Sequence, residues 1–255
     1  MSKRYAIISD IHGNLHAFMA VLGALGEHNV DEIICLGDIV GYGPAPDRCI
    51  DLVCNYSSIT VRGNHDEAAI DPLKAELFNG AARQAIYWTR DYLSAVHIDA
   101  LNRLKPVERL NGTVMCVHDC PVPAPTDYVH DKQMATLAFR GVDAHICLLG
   151  HTHVPIVFEA PCQSVAAEYA TPDLVAWIPR NGEDVYLDPC KRYICNPGSV
   201  GQPRDCDPRA SFAVLDLDRN TFTVHRVEYD IAAAQAATQE AGLPSILAQR
   251  LAIGA

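Results

Sequence analysis

The stretch Tyr5-Ala-Ile-Ile-Ser-Asp-Ile-His-Gly-Asn14 opens on a short apolar run and breaks into Asp, His, Gly and Asn. A run this short and this apolar reads as a strand buried on both faces, and the polar break reads as the turn at its carboxyl end. Leu15, Phe18, Met19, Leu22 and Leu25 follow at helical spacing, so the next element is an amphipathic helix. Strand, polar loop and helix make the unit of an open α/β sheet, whose ligands gather at the carboxyl ends of the strands.

The same order recurs outward from that stretch. Residues 32–36 lead into Gly37-Asp38, and residues 58–61 lead, past Arg62, into Gly63-Asn64-His65-Asp66. Residues 113–117 end at His118-Asp119, and residues 145–149 end at Gly150-His151-Thr-His153. Helical patterns occupy 46–54 and 77–104, the latter with Ile86, Trp88 and Leu93 as core residues. Strands are expected at 154–159, 174–178, 184–187, 193–195, 212–218 and 221–227, with Arg219-Asn220 as a two-residue hairpin turn. The tail from Ile231 reads as helix, broken at Gly242-Leu243-Pro244, and residues 161–181 read as a surface excursion. The whole, 1–255, reads as one α/β domain with mixed sheets inside and helices outside.

Composition narrows the function. The chain has 255 residues, 49% hydrophobic and 20% charged, ample for one core. Twenty Lys and Arg against 31 Asp and Glu give a net charge of −11. Such a surface repels a phosphate backbone at long range, which disfavours an extended nucleic-acid face and makes a nuclease the least favoured hydrolase. No apolar run approaches the roughly 18 residues of a membrane helix, and no export segment is evident, so a cytoplasmic protein is expected. Ten Cys without a Cys-x-x-Cys then read as small hydrophobes in a reducing compartment.

Five of the 11 His fall in the strand-end segments. Asp10/His12 and His151/His153 are i, i+2 pairs, which an extended chain projects to one side. Asp10, His12, Asp38, Asn64, His118, His151 and His153 exceed what one metal needs and suit two metals sharing a carboxylate. Oxygen and nitrogen donors without thiolate favour Mn²⁺, Fe, Zn²⁺ or Mg²⁺.

In this order, Asp-x-His, Gly-Asp, Gly-Asn-His-Asp, His and Gly-His-x-His resemble the calcineurin-like metallophosphoesterase superfamily. The segment Asn196-Pro-Gly-Ser-Val-Gly-Gln-Pro-Arg-Asp205 resembles its small single-domain bacterial and archaeal members. The resemblance implies a four-layer α/β/β/α sandwich with two divalent metal ions, Mn²⁺ foremost. Asp10, His12, Asp38 and His153 would hold the first ion; Asp38, Asn64, His118 and His151 the second. A bridging hydroxide would be the nucleophile and His65 the general acid, oriented by Asp66. Arg62 and Arg204 are candidate phosphate contacts. The implied activity is that of a phosphatase or phosphodiesterase on a small phosphorylated substrate, a nucleotide or dinucleoside polyphosphate among them. A protein serine/threonine phosphatase-like activity and a non-catalytic metal-binding regulatory protein are the alternatives. Asp119 stands where such relatives usually carry Gly, and His16 has no role in the pattern. Residues 155–193 are expected to form a flap over the substrate pocket.

Overall fold

The computed structural model describes residues 3–162 and 173–255. Its first sheet has the order β3-β2-β1-β11-β12-β9: Ser57–Thr60, Glu32–Cys35, Arg4–Ile8, Ala210–Asp216, Thr221–Val227 and Asp184–Tyr186. The second has the order β4-β5-β6-β10-β7-β8: Val107–Leu110, Val114–Val117, Ile146–Leu148, Lys191–Pro197, Pro155–Pro161 and Val175–Trp177. Both are mixed. β1 runs parallel to β2 and antiparallel to β11, while β10 runs parallel to β6 and antiparallel to β7.

Alternation along the strands makes the layers. Tyr5 and Ile7 of β1 face the other sheet, together with Ile34, Cys116, Leu148, Tyr193 and Phe222. Their neighbours Ala6 and Ile8 face outward onto the helices α1 (Leu15–Leu25) and α2 (Pro46–Tyr56). On the far side, Met115, Cys147 and Ile194 pack beneath α6 (Lys132–Ala138). A side-chain period of two thus supplies one core between the sheets and one under each helical layer. This is the expected four-layer α/β/β/α sandwich.

Several local expectations are corrected. The 77–104 stretch is not one helix: α4 (Gly80–Tyr92) is capped by Asn79, and α5 (Ala95–Asn102) follows after Leu93-Ser94. Ahead of them, α3 (Asn64–Ile70) and a 3₁₀ turn (Pro72–Leu77) carry the chain away from β3. Met19 is half-exposed, and the buried face of α1 is Ala17, Phe18, Val21 and Leu25. The β11–β12 connection spans four residues, 217–220, because the Asp216 carboxylate accepts from the N–H groups of Asp218 and Arg219.

Where it is described, the segment expected as a flap is sheet: β7 pairs along its whole length with β10, β8 extends that sheet, and β9 edges the other. Apolar alternation docks it, and the part at 163–172 lies outside the described residues. The tail forms α7 (Ile231–Glu240) and α8 (Ser245–Gln249), with the break where Gly242-Leu243-Pro244 places it. Among the described residues no helix is long and apolar enough to cross a membrane.

Candidate metal centre

Adjacent strand ends bring the polar segments together. The loop after β1 bonds the loop after β2 through Asp10 N–H to Gly37 O (3.0 Å), His12 N–H to Asp38 O (2.9 Å) and Gly13 N–H to Ile39 O (2.9 Å). Gly150 N–H donates to His118 O at 3.0 Å, which joins the ends of β5 and β6. The two sheets then meet where the His151 N–H donates to the Asp10 carboxylate.

The i, i+2 pairs do share one centre, but not through extended backbone. Asp10, His12, Asp38, His151 and His153 all have left-handed φ, between 52° and 67°. Each such residue costs of order 1–2 kcal/mol, and such strain collects at functional sites because the surrounding structure holds it there. Asp119 is not among the positive-φ residues, so its turn needs no glycine.

Two ligand groups overlap at Asp38: Asp10, His12, Asp38 and His153, and Asp38, His118 and His151, each with ligand atoms within 4.8 Å of one another. His12 Nε2 lies 3.5 Å from Asp38 Oδ2, His118 Nε2 lies 3.2 Å from the same oxygen, and His153 Nε2 lies 3.2 Å from Asp10 Oδ1. Asn64 Oδ1 is 3.2 Å from His118 Nε2. Three rings are oriented from behind: Nδ1 of His12 meets Val40 O (3.0 Å), that of His118 meets Leu36 O (2.7 Å) and that of His153 meets Gln202 O (2.6 Å). Donation from Nδ1–H leaves the Nε2 lone pair facing the centre, as metal ligation requires.

The donor set fits divalent cations. His12 Nε2 and His153 Nε2 face each other at 3.1 Å, and Asp38 Oδ2 is buried without a hydrogen-bond donor. Burial opposes ionisation of Asp10 and Asp38, yet the surrounding imidazoles hold both carboxyls below their ordinary range. Burial holds His12 well below the usual imidazole range, lowers His153, and pushes His151 down to about 3. Burial also works against charge on His118, but Asp38 and Asp10 raise it well above that range. Ionised carboxylates and largely neutral imidazoles are the forms that bind metal.

His65 and Asp66 occupy different places. The His65 N–H donates to Asp38 Oδ1 at 2.8 Å, from the first turn of α3. Its ring sits between Tyr42 (4.5 Å between centroids) and Phe78 (4.6 Å), and Nδ1 is buried without a partner. Burial pushes the imidazole down to about 4. The expectation that Asp66 orients this ring is corrected. Asp66 Oδ1 accepts from Ile39 and Val40 N–H, and Oδ2 accepts from Asp38 and Gly63 N–H. Burial and the Asp38 carboxylate push the Asp66 carboxyl up to about 7 against the pull of those donors. Asp66 clamps the Asp38 turn.

A calcineurin-like phosphoesterase superfamily model matches residues 4–220. The chain belongs to that superfamily. A metallophosphoesterase structure from Sphaerobacter thermophilus is similar to this phosphoesterase chain with 43% identity and a TM-score of 0.85, each chain covered in full. An uncharacterized protein of Methanocaldococcus jannaschii is 33% identical over 253 residues, 98% of this chain and 97% of that protein. A hypothetical protein from Pyrococcus horikoshii shares the fold, with a TM-score of 0.73 at 19% identity, covering 99% of this chain and 98% of its own.

Around the phosphoesterase centre lies a cleft of about 460 Å³ whose walls include Asn64, His65, Phe78, Asp119, Tyr128 and His151. Tyr128 stacks on His151 at 4.0 Å, and burial raises the Asp119 carboxyl. Arg204 stands beside the centre: its guanidinium donates to Gln202 Oε1 (3.1 Å) and Tyr42 Oη (3.3 Å). Arg62 does not join it. Its main-chain N–H bonds Lys105 O, and its guanidinium is turned toward Glu67, 4.0 Å away. Among the described residues, those of 155–193 contribute no wall to this cleft.

Sequence reasoning missed Tyr42, whose ring lies 4.6 Å from His12. It also missed Gly41: a Cβ there would meet His65 Nδ1 at 2.4 Å, and its φ is +87°. The end of β10 and the turn after it brace the centre from the side. Asn196 Nδ2 donates to Gly150 O (2.6 Å), and Ser199 Oγ donates to Asp10 O (2.8 Å), tying the β6 and β1 loops.

Proposed function

We propose that this chain hydrolyses small phosphate esters at a centre of two divalent cations, Mn²⁺ foremost, with Asp38 shared between them. The observation that carries the reading is the overlap of two ligand groups at that single carboxylate. Asp10, His12, Asp38 and His153 would hold one ion, and Asp38, Asn64, His118 and His151 the other. Bound there, a cation pair lowers the pKa of water, neutralises phosphoryl oxygens and offsets the acidity of the protein.

The residues around the centre supply the rest. His65 is a neutral imidazole at pH 7 in the empty cleft, since burial pushes it down to about 4. A phosphoryl dianion beside it raises that value, so the ring takes up a proton from solvent as substrate binds and gives it to the departing alkoxide. Arg204, held on Tyr42 and Gln202, would supply a cation for the substrate oxygens. Tyr128 and Phe78 form aromatic walls of the cleft. The test is direct: metal analysis after Mn²⁺ loading, then turnover of a chromogenic monoester and diester. Two ions per chain with ester cleavage supports the reading. Full loading without cleavage of any phosphorylated substrate, phosphopeptides and dinucleoside polyphosphates included, favours the regulatory alternative.

A further inference from the structure

A second cavity, of about 400 Å³, shares a wall with the metal centre and has no part in the chemistry above. Its floor includes His12, whose Nε2 is 3.5 Å from Asp38 Oδ2. Tyr42 borders both this cavity and the cleft at His65, so the two spaces meet across one ring. Its outer walls are α4, α7, α8 and the 3₁₀ turn after it (Arg250–Ala252), presenting Trp88, Tyr92, Leu247 and Leu251. Trp88, read from sequence as core, is only half-buried; it stacks on Tyr92 with ring centroids 4.9 Å apart and planes 14° from parallel. His16 and Glu240 line the cavity from exposed positions, and their side chains make no hydrogen bond among the described residues. The matched family domain ends at residue 220, whereas α7 begins at Ile231. The closing helices α7 and α8 thus lie beyond the matched family domain, in a part of the chain that the relatives matched over their full length also cover.

We propose that this compartment binds a planar aromatic group of the substrate, of which a nucleobase is the biological form, while the phosphoryl group lies at the metals. The inference rests on the phosphoester reading above and specifies its substrate. The volume is within the range of small-ligand sites and large enough for a nucleoside. An aromatic pair in an apolar wall suits a planar ring, and His16 and Glu240 offer a donor and an acceptor for polar ring edges.

Three probes test it on the full-length, Mn²⁺-loaded protein by calorimetry: methylphosphonate, 1-naphthylmethylphosphonate and adenosine. The naphthyl compound binds about tenfold more tightly than the methyl one, and Trp88→Ala and Ala237→Phe each abolish most of that advantage. Ala237 lines the cavity, so its replacement by Phe fills the space without removing a core side chain. In a Trp177→Phe background, which leaves Trp88 as the single indole, adenosine alone quenches fluorescence. Circular dichroism and metal content verify that each variant is folded and loaded. An equal affinity for the two phosphonates, or an advantage that survives in both folded variants, overturns the proposal. If neither phosphonate binds but adenosine still quenches Trp88, the compartment stands and the phosphoester reading fails.

Discussion

The main-chain N–H of Asp38 donates to Asp66 Oδ2 at 2.9 Å, so the carboxylate beside His65 in sequence acts instead on the residue common to the two candidate ligand groups. Both of its oxygens are filled by N–H donors from the 38–40 turn and Gly63. In Asp66→Asn an amide N–H₂ would face buried N–H groups. The expected result is a loss of about 2–4 kcal/mol in urea denaturation, with impaired Mn²⁺ uptake. Unchanged stability and metal content with an altered pH–rate profile would instead restore the role of partner to His65.

Metal stoichiometry separates the two ligand groups. His151 belongs to one group alone and Asp38 to both. His151→Ala is expected to retain one tightly held ion per chain, and Asp38→Asn to lose tight binding of both. Chelation lowers the melting temperature of the native protein, and Mn²⁺ at a hundredfold excess over Kd restores about 2.7 kcal/mol. Two ions in Asp38→Asn, by elemental analysis, would refute the shared-ligand arrangement.

Removal of the His65 ring spares the metal ligands. His65→Asn is expected to keep its metal content and lose about 10²- to 10⁴-fold in kcat on alkyl phosphates, with a smaller loss on nitrophenyl esters, whose leaving group needs no proton. Equal losses on both classes would argue for a role in substrate positioning.

Gly41 tests the same ring from outside it. A Cβ at that position meets His65 Nδ1 at 2.4 Å, and its φ of +87° disfavours any side chain. Gly41→Ala should displace the imidazole and lower kcat toward the His65→Asn level. It should also destabilise the fold by about 1–2 kcal/mol through the left-handed backbone. Thermal denaturation and steady-state kinetics measure the two effects separately.

Acid sensitivity is expected away from the metal as well. His225 and His28 have ring centroids 4.0 Å apart against Phe212. Burial first, then His28, pushes His225 down to about 4, and burial also lowers His28; Arg4 lowers both, while Asp184 opposes at His225 and Glu27 at His28. Between pH 4 and the unfolded value of about 6.5 the unfolded chain binds more protons, so stability rises with pH across that window and is lost as pH falls through it. His225→Gln should flatten this dependence relative to the native protein under the same metal conditions. A parallel pair of stability–pH curves would contradict the assignment.

The seven candidate ligands were legible because each follows a short apolar run, and burial of such runs in a sheet forces their ends to one rim. Their backbone was not legible: nothing in Asp10-Ile-His12 distinguishes an extended pair from the left-handed turns that the 37–39 loop imposes. Asp66 was misread because adjacency was taken as contact, whereas successive residues on a helix diverge by about 100°. β4 escaped because Val107-Glu-Arg-Leu is a half-exposed edge strand with no apolar run. The strands in 155–193 were identified individually. Their pairing into two sheets depends on partners about 30–40 residues distant, such as Thr221 and Phe222 opposite β9 or β10 opposite β7, and spacing alone does not reveal that.

Asp10, His12, Asp38 and Asn64 come from the ends of β1, β2 and β3, whereas His118, His151 and His153 come from the ends of β5 and β6. Neither sheet owns a complete coordination set. On the proposed reading, complete coordination would require both halves to have docked, and the ions would form a clasp across their seam. A chain that has assembled only the first half would offer three of the four donors of the Asp10 group, and the second half alone would lack the carboxylate common to both groups.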